Sequence, residues 1–265
     1  MSKYRHPDAA AIVLAAGQGT RMKSDMAKVL HPVAGAPLLA HVLNAVEGLG
    51  VGRALVVIGH QRDRVRSVFA GAPVEWVEQL EQRGTGHAVM MAGPALADFP
   101  GTLLVLCGDT PLLRSQTLHE LLDGHEASGA AVTVLSTVVP DPRGYGRVVR
   151  GAQGGIAAIV EERDATPEQR GIAEINSGIY AFRYPRLAIV LADLTAHNAQ
   201  GEYYLTDTVT LLAQRGGEAA VVCAPDYREL LGINTPDQLA EAERLFAERS
   251  RSEGEVRSRA GGDDA

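Results

Sequence analysis

The stretch AAIVLAAGQGTRM, residues 10–22, passes from a continuous apolar run into a glycine turn that ends in Arg-Met. A run without alternating polar residues is typical of a strand buried on both faces of a parallel sheet. Four later runs have the same character, and helix-compatible sequence follows each one. They are ALVVIG (54–59), PVEWV (73–77), TLLVLCG (102–108) and AAVTVLSTVV (130–139). This alternation predicts an α/β fold with right-handed crossovers.

Beyond residue 140 the sequence changes character, with glycine and proline turns, a charged stretch and short β-like segments. We predict that residues 1–250 form a single domain with two lobes, a first lobe over about 9–140 and a β-rich second lobe over about 141–230. The apolar segment 219–224 is expected to return to the main sheet as a strand.

A helix is predicted at the end of this domain, over 235–250. Thr235 is a good N-cap residue and Pro236 suits the first helical position. The polar residues 251–265 are predicted to form a flexible tail.

Composition excludes several classes of protein. The 265 residues are 46% hydrophobic, no run of 18 apolar residues occurs, and the net charge is -7. We therefore expect neither a membrane span nor a nucleic-acid partner, and the start of the chain does not read as a signal peptide. Cys107 and Cys223 lie far apart in apolar runs, so both are predicted to be buried thiols in the reducing cytoplasm. Oligomeric state is not readable from the sequence.

The glycine turn after the first strand has the composition of an anion site. Gly17 and Gly19 allow backbone N–H groups to approach a ligand closely, and Arg21 and Lys28 add positive charge. The spacing is neither that of a dinucleotide site nor that of a Walker loop. Taken alone, the pattern suits a triphosphate about as well as it suits a tight turn with two solvated cations.

Asp109 follows the apolar run 102–108, so its carboxylate should emerge at the same edge of the sheet as the glycine turn. A carboxylate oxygen there is a suitable ligand for Mg²⁺, which usually takes one or two protein oxygens together with phosphates and waters.

The string L-A-A-G-x-G-T-R-M-x(5)-K-x-L, which begins at Leu14, resembles the signature of sugar-1-phosphate nucleotidylyltransferases. Seven further motifs follow in order, and over about residues 9–245 the chain is similar to the uridylyltransferase domain of bacterial N-acetylglucosamine-1-phosphate uridylyltransferases. The seven are QLEQRGTGHA (79–88), LCGDTPLL (106–113), GYGRVV (144–149), IVEERDAT (159–166), EINSGIY (174–180), NAQGEYYLTD (198–207) and GIN (232–234).

This resemblance implies a Rossmann-like mixed, mainly parallel sheet of the nucleotide-diphospho-sugar transferase type, with a β-rich acceptor-binding elaboration. It also implies a cytoplasmic, Mg²⁺-dependent reaction in which UTP and N-acetylglucosamine 1-phosphate give UDP-N-acetylglucosamine and pyrophosphate. The first lobe would then bind the nucleotide and the second lobe the sugar.

The resemblance implies a role for each matching residue. The catalytic cations are Arg21 and Lys28, and the metal ligands are Asp109 and Asn234. The nucleotide-binding residues are Leu14, Ala15, Ala16, Gly17, Lys28, Gln79, Gly84, Thr85, Cys107, Gly108 and Asp109. The sugar-binding residues are Gly146, Glu161, Asn176 and Thr206. His87 and Tyr203 are assigned to packing or capping.

Two features depart from the family pattern. Cys107 stands where aromatic or other residues are common in relatives, which puts a side-chain contact to the nucleotide there in doubt. The chain also carries no hexapeptide periodicity of the kind that forms an acetyltransferase β-helix in bifunctional members. The chain is then either a stand-alone uridylyltransferase, which we favour, or a piece of a longer protein, and we expect no acetyltransferase activity. The alternatives are a nucleotidylyltransferase with another sugar phosphate or nucleotide, and a non-catalytic nucleotide-sugar sensor.

Overall fold

A computed structural model of the protein describes residues 6–151 and 154–260. Its strands and helices follow one another in the predicted alternation through the first half of the chain. In chain order they are β1 (His6–Ala15), β2 (Pro32–Val33), β3 (Ala36–Pro37), α1 (Leu38–Leu49), β4 (Val51–Ile58), α2 (Arg62–Val68), β5 (Glu75–Glu78), α3 (Thr85–Ala92), β6 (Thr102–Cys107), α4 (Ser115–Ser128), β7 (Val132–Val138), β8 (Gly146–Arg150), β9 (Ile156–Val160), α5 (Pro167–Arg170), β10 (Glu174–Arg183), α6 (Tyr184–Leu191), α7 (Asp207–Gln214), β11 (Ala219–Cys223) and α8 (Pro236–Ala260).

The main sheet is mixed and mostly parallel, as predicted. Its strand order is β11-β7-β10-β6-β1-β4-β5, and β8 and β9 extend from β10 as an antiparallel addition. β1 pairs in parallel with β4 and β6, so that Ile12 lies opposite both Leu55 and Val105. β11 returns to the sheet beside β7 in parallel, which confirms the strand expected at 219–224. β10 is antiparallel to both of its long neighbours, β6 and β7.

Helices cover both faces of this sheet, which explains why its strands are continuously apolar. Ile12 and Val13 are both fully buried, yet they contribute to different core clusters on opposite faces. On the Val13 side, Leu39, Val42 and Val46 of α1 supply the helical stripe that packs on the strands. The central strands are therefore held rigidly from both sides, and their ends can position a site.

The ends of β1 and β6 meet at one edge of the sheet. The Gly108 N–H donates to the Leu14 carbonyl over 2.9 Å, so the two loops that follow these strands start side by side. Gly19 in the first loop has φ +65, and a Cβ there would lie 2.6 Å from Lys28 Cβ. Only glycine permits this turn, and its tight geometry brings Lys28 back over the end of β1.

The terminal helix α8 begins as predicted. Thr235 Oγ1 accepts a hydrogen bond from the Gln238 N–H over 3.2 Å, and Pro236 is the first helical residue. The predicted end at residue 250 is wrong, because the helix runs to Ala260, and the flexibility of the tail stays a prediction. Glu, Arg and Ala are good helix formers, and Gly254 alone does not interrupt the pattern. Residues 261–265 lie outside the described residues.

The prediction that both cysteines are buried is wrong for Cys223. Cys223 is exposed rather than buried, because it is the last residue of the edge strand β11, and Cys107 is half-buried. Among the residues that the structure describes, no helix has the length and apolar character needed to cross a bilayer.

Candidate functional site

A cleft of about 570 Å³ opens at the edge of the sheet where β1 and β6 end. Its volume is typical of a small-molecule site. Predicted nucleotide, metal and catalytic residues form much of its wall, and these are Leu14, Ala15, Ala16, Gly17, Arg21, Lys28, Gln79, Gly84, Thr85, Cys107, Asp109 and Asn234. The Gly108 N–H donates a hydrogen bond to the carbonyl of Leu14, one of these wall residues. The structure therefore brings together segments that are as much as 220 positions apart along the chain, from Leu14 to Asn234.

Four charged or polar side chains converge at one end of the cleft. Lys28 Nζ contacts Asp109 Oδ2 and donates to Asn234 Oδ1 over 2.9 Å. Arg21 Nη2 donates to the same Asn234 oxygen over 2.9 Å. The Ile233 N–H donates to the Asp109 carbonyl over 2.9 Å, which ties the two loops together. We call this group, Arg21, Lys28, Asp109 and Asn234, the cation end of the cleft.

The oxygens at the cation end fit a divalent cation. Asp109 and Asn234 both direct a side-chain oxygen at one ammonium group, that of Lys28, so two hard ligands already converge on a single positive charge. Within residues 6–151 and 154–260, no group of three or more His, Cys, Asp or Glu side chains is placed to hold a metal. A site with two oxygen ligands of this kind suits a hard divalent cation whose coordination phosphate oxygens would complete.

Gln79 also lines the cleft and is 3% exposed. Its backbone N–H donates to the Ile58 carbonyl over 2.8 Å, which places it just beyond the end of β4. Its side-chain Nε2 lies 3.1 Å from the Gly84 carbonyl and 3.0 Å from His87 Nδ1. Gly84 has φ +103, and a Cβ there would lie 2.6 Å from the Tyr203 carbonyl, so this turn also requires glycine. We call Gln79, Gly84 and Thr85 the amide end of the cleft.

The four predicted sugar-binding residues also come together, where β8 pairs with β10. Gly146 lies opposite Asn176 in that pairing, and a Cβ on Gly146 would lie 3.5 Å from Glu161 Oε2. Thr206 Oγ1 donates to Glu161 Oε1 over 3.3 Å. Asn176 Nδ2 donates to the Tyr180 hydroxyl over 2.7 Å. We call Gly146, Glu161, Asn176 and Thr206 the sugar end.

Burial raises the pKa of Glu161 above its usual value. The hydrogen bond from Thr206 opposes this shift, and the nearby carboxylates of Asp207, Asp164 and Glu202 add to it. Glu161 is thus a desolvated carboxylate with one weak donor, and it has unused capacity to accept hydrogen bonds from a ligand.

Residues 11–253 match the family model described as the MobA-like NTP transferase domain. The chain belongs to this family. It is 49% identical over 243 residues to the bifunctional protein GlmU of Geobacter metallireducens and 52% identical over 241 residues to that of Heliobacterium modesticaldum. It is also 51% identical over 247 residues to the bifunctional protein GlmU of Thermobifida fusca.

These alignments cover 91% of this chain but only 51% to 52% of each relative. The chain thus spans about half the length of the curated relatives that it matches. The predicted fold type and the predicted nucleotidyltransferase family are confirmed.

Within this NTP transferase domain, Cys107 lies on the cleft wall near the cation end. Burial, with a further contribution from Asp109, raises the pKa of its thiol to about 12. Its Sγ donates to the Gly178 carbonyl over 3.6 Å. A thiol that stays neutral is a poor nucleophile, so Cys107 forms a small apolar part of the wall.

Four further residues line the cleft or lie close to residues that line it, and none of them was given a substrate-binding role from the sequence. Gln82 and Glu202 line the cleft, and Gln82 Nε2 donates to the Gln79 carbonyl over 3.0 Å. His87 contacts the Gln79 amide, and Tyr145 accepts a hydrogen bond from the Gly232 N–H beside the cation end. All four lie inside motifs that the sequence had already singled out, QLEQRGTGHA, GYGRVV and NAQGEYYLTD.

Proposed function

We propose that this chain transfers UMP from UTP to N-acetylglucosamine 1-phosphate and releases pyrophosphate. The observation that carries the proposal is the Arg21–Lys28–Asp109–Asn234 cluster, which lines one cleft together with Gln79, the amide that we assign to the base. The similarity of the chain to the GlmU proteins supports nucleotidyl transfer. The resemblance of its motifs to those of bacterial N-acetylglucosamine-1-phosphate uridylyltransferases supports the choice of substrates.

The reaction requires little proton transfer. A phosphate oxygen of the sugar phosphate attacks the α-phosphorus of UTP, the bond from that phosphorus to the β-phosphate bridging oxygen breaks, and pyrophosphate leaves with the electron pair. Both reactants are anions, so the chain must bring them in line and balance the negative charge that develops. Because the protein itself carries a net charge of -7, this positive charge has to be local.

Arg21 and Lys28 supply that local charge. Both residues lie in the segment between β1 and β2, and they line the cleft together with Gly17 and Gly19 of the same segment. Lys28 is 15% exposed in its side chain, so its charge is only partly screened by water. We assign to both residues the binding of phosphate oxygens and the stabilisation of the leaving pyrophosphate.

Asp109 and Asn234 would hold Mg²⁺, which supplies Lewis-acid neutralisation of the phosphate oxygens when it is bound. EDTA is expected to abolish pyrophosphate release, and added Mg²⁺ is expected to restore it. Calorimetric titration of the protein with Mg²⁺ and UTP, compared with the Asn234→Ala variant, separates a lost metal site from lost chemistry. Full activity after exhaustive chelation would contradict the assignment.

The amide end and the sugar end would provide specificity. The Gln79 amide and the Gly84–Thr85 backbone face a base, with donors and acceptors that match the uracil edge. Glu161, Asn176 and Thr206 bind a neutral sugar through hydrogen bonds, with Gly146 leaving space beside them. The charge of -7 and the two unpaired cysteines support a cytoplasmic location.

The test is pyrophosphate release over a matrix of nucleotides and sugar phosphates. UTP, CTP, ATP, GTP and dTTP are each combined with N-acetylglucosamine, glucose and N-acetylgalactosamine 1-phosphates, with product masses measured for every active pair. We expect UTP with N-acetylglucosamine 1-phosphate to have the highest kcat/KM. Preference for another pair would overturn the substrate assignment, and tight binding of UDP-N-acetylglucosamine without turnover of any pair would identify a sensor.

A further inference from the structure

The Gln79 side chain is oriented by two fixed neighbours. Its Nε2 lies 3.1 Å from the Gly84 carbonyl oxygen. A carbonyl oxygen only accepts, so the amide atom beside it must be the NH₂ group and not Oε1. This contact therefore assigns Oε1 and Nε2 of the Gln79 amide, which have nearly the same shape and are distinguished only by their hydrogen-bond partners.

The second neighbour of the amide is His87 in helix α3. Nε2 of Gln79 also lies 3.0 Å from His87 Nδ1. Because that Nε2 is a donor, Nδ1 must accept, and the imidazole is the neutral tautomer that carries its proton on Nε2. Both hydrogens of the Gln79 NH₂ group are then used within the protein, and the amide offers a ligand only its acceptor, Oε1.

We propose that His87 is a positioning residue that locks the Gln79 amide with Oε1 toward the base and so selects uracil over cytosine. This inference rests on the proposed function, in which Gln79 and a backbone N–H of the Gly84–Thr85 turn read the base. The acceptor Oε1 would accept from the N3–H of uracil, and the backbone N–H would donate to the neighbouring uracil carbonyl. Cytosine presents the reverse pair at those positions, an acceptor at N3 and a donor at the amino group.

The surroundings of Gln79 make such a lock effective. The side chain is 3% exposed, so an unmatched donor or acceptor on it cannot be rescued by bulk water. His87 itself is held beside Tyr203, with ring centroids 6.3 Å apart, and the Gly86 N–H donates to the Tyr203 carbonyl over 2.8 Å. The imidazole is therefore fixed by the same segment that fixes the turn.

A matched pair of variants tests the acceptor at Nδ1. Asparagine places Oδ1 where histidine places Nδ1, so His87→Asn keeps an acceptor. His87→Leu has a similar shape without one. We expect His87→Leu to reduce the preference for UTP over CTP by about tenfold, because one hydrogen bond is lost. The preference is measured by calorimetry, without acceptor sugar, as the ratio of the two Kd values. His87→Asn should keep the wild-type ratio.

The same variants should separate binding from general damage. In His87→Leu, KM for UTP rises while KM for the sugar phosphate stays constant, since the sugar end does not contact His87. An unchanged UTP to CTP ratio in His87→Leu would overturn the proposal, and so would a His87→Asn protein that behaves like His87→Leu. Wild-type preference for UTP in binding, without transfer to N-acetylglucosamine 1-phosphate, would contradict the proposed function and leave the role of His87 standing.

The tautomer of His87 can be measured directly in the unmodified protein, which keeps the test decisive even where His87→Leu does not fold. The ¹⁵N signals of the imidazole distinguish a bare Nδ1 from a protonated one. We expect an unprotonated Nδ1 and a protonated Nε2 at neutral pH. A proton on Nδ1 would place a donor against the Gln79 NH₂ group and would refute the lock.

Discussion

The cation end of the cleft and the sugar end, whose four residues do not line that cleft, are built in different ways. At the cation end, the contacts Lys28–Asp109 and Arg21–Asn234 join segments 81 and 213 positions apart, and each of these two contacts involves a formal charge. At the sugar end, Thr206 and Glu161 are 45 positions apart, and the Asn176–Tyr180 bond joins residues of one strand. The first arrangement depends on the whole fold, whereas the second joins residues within the segment 146–206.

Under the proposed function, this difference corresponds to a division between chemistry at the cation end and recognition at the sugar end. Charges collected from distant segments are suited to stabilise a transition state, because they are held in place before the reaction begins. Hydrogen-bonding groups that bind a neutral sugar act on ground state and transition state alike, and so they affect KM more than kcat. Substitutions at the two ends should therefore produce different kinetic changes.

The largest effect is expected at the cation end. Asp109→Ala should lower kcat by about 10³-fold, because it removes a metal ligand and the partner of Lys28. KM for the sugar phosphate should change little. Steady-state pyrophosphate release measures both constants, and Asp98→Ala, which removes an exposed carboxylate outside the cleft, is the matched control. A fall of less than tenfold in Asp109→Ala, with cooperative unfolding intact, would show that the cation end does not perform the chemistry.

At the sugar end, Glu161→Gln should raise KM for the sugar phosphate by about tenfold while kcat changes less, since hydrogen bonds to a charged acceptor are the stronger ones. The wild-type KM should also rise as pH falls through the pKa of Glu161, which burial holds above the usual value. Glu161→Gln should lose that pH dependence. A kcat loss as large as that of Asp109→Ala would erase the distinction between the two ends.

Much of this comparison could be predicted from the sequence, because continuous apolar runs mark doubly covered strands and the residues that end them share one edge of the sheet. The direction of β10 could not be predicted, since a strand buried on both faces has the same composition whether it runs parallel or antiparallel. The exposure of Cys223 could not be predicted either, because it depends on which strands pair. The end of an apolar run is buried in a central strand but exposed in an edge strand such as β11.

His87 shows a different limit of sequence reasoning. Its position inside QLEQRGTGHA was visible, but a histidine in a helical stretch is more often a packing residue. Only the three-dimensional contact with Gln79 Nε2, together with the Gly84 carbonyl on the other side of that amide, gives it a role. The orientation of an amide is a property of its neighbours and leaves no trace in spacing.

A smaller effect is expected from Thr206→Val, which keeps the shape of the side chain and removes the hydroxyl that donates to Glu161. The loss of one hydrogen bond should raise KM for the sugar phosphate by roughly threefold. In a double-mutant cycle, the effect should be weaker in the Glu161→Gln background, because the hydroxyl there donates to a neutral amide. Strictly additive changes would show that Thr206 does not act through Glu161.

The smallest predicted effect concerns stability: Glu161→Gln should stabilise the fold although it weakens binding of the sugar phosphate. A carboxyl whose pKa is raised in the native state binds its proton more readily there than in the unfolded chain, so stability falls as pH rises from the unfolded pKa through the folded one. Glu161→Gln removes this penalty and should raise the free energy of unfolding by about 1 kcal/mol at pH 8.

At pH 4, where both states of the wild type are largely protonated, the gain from Glu161→Gln should nearly vanish, and urea unfolding at the two pH values measures the difference. A wild type that is the more stable protein at pH 8 would contradict the desolvated state of Glu161. The expected gain would mean that the sugar end keeps its carboxylate for binding at a cost to folding. At the cation end, by contrast, the charge of Asp109 is already matched by Lys28, so no comparable gain is open to a variant there.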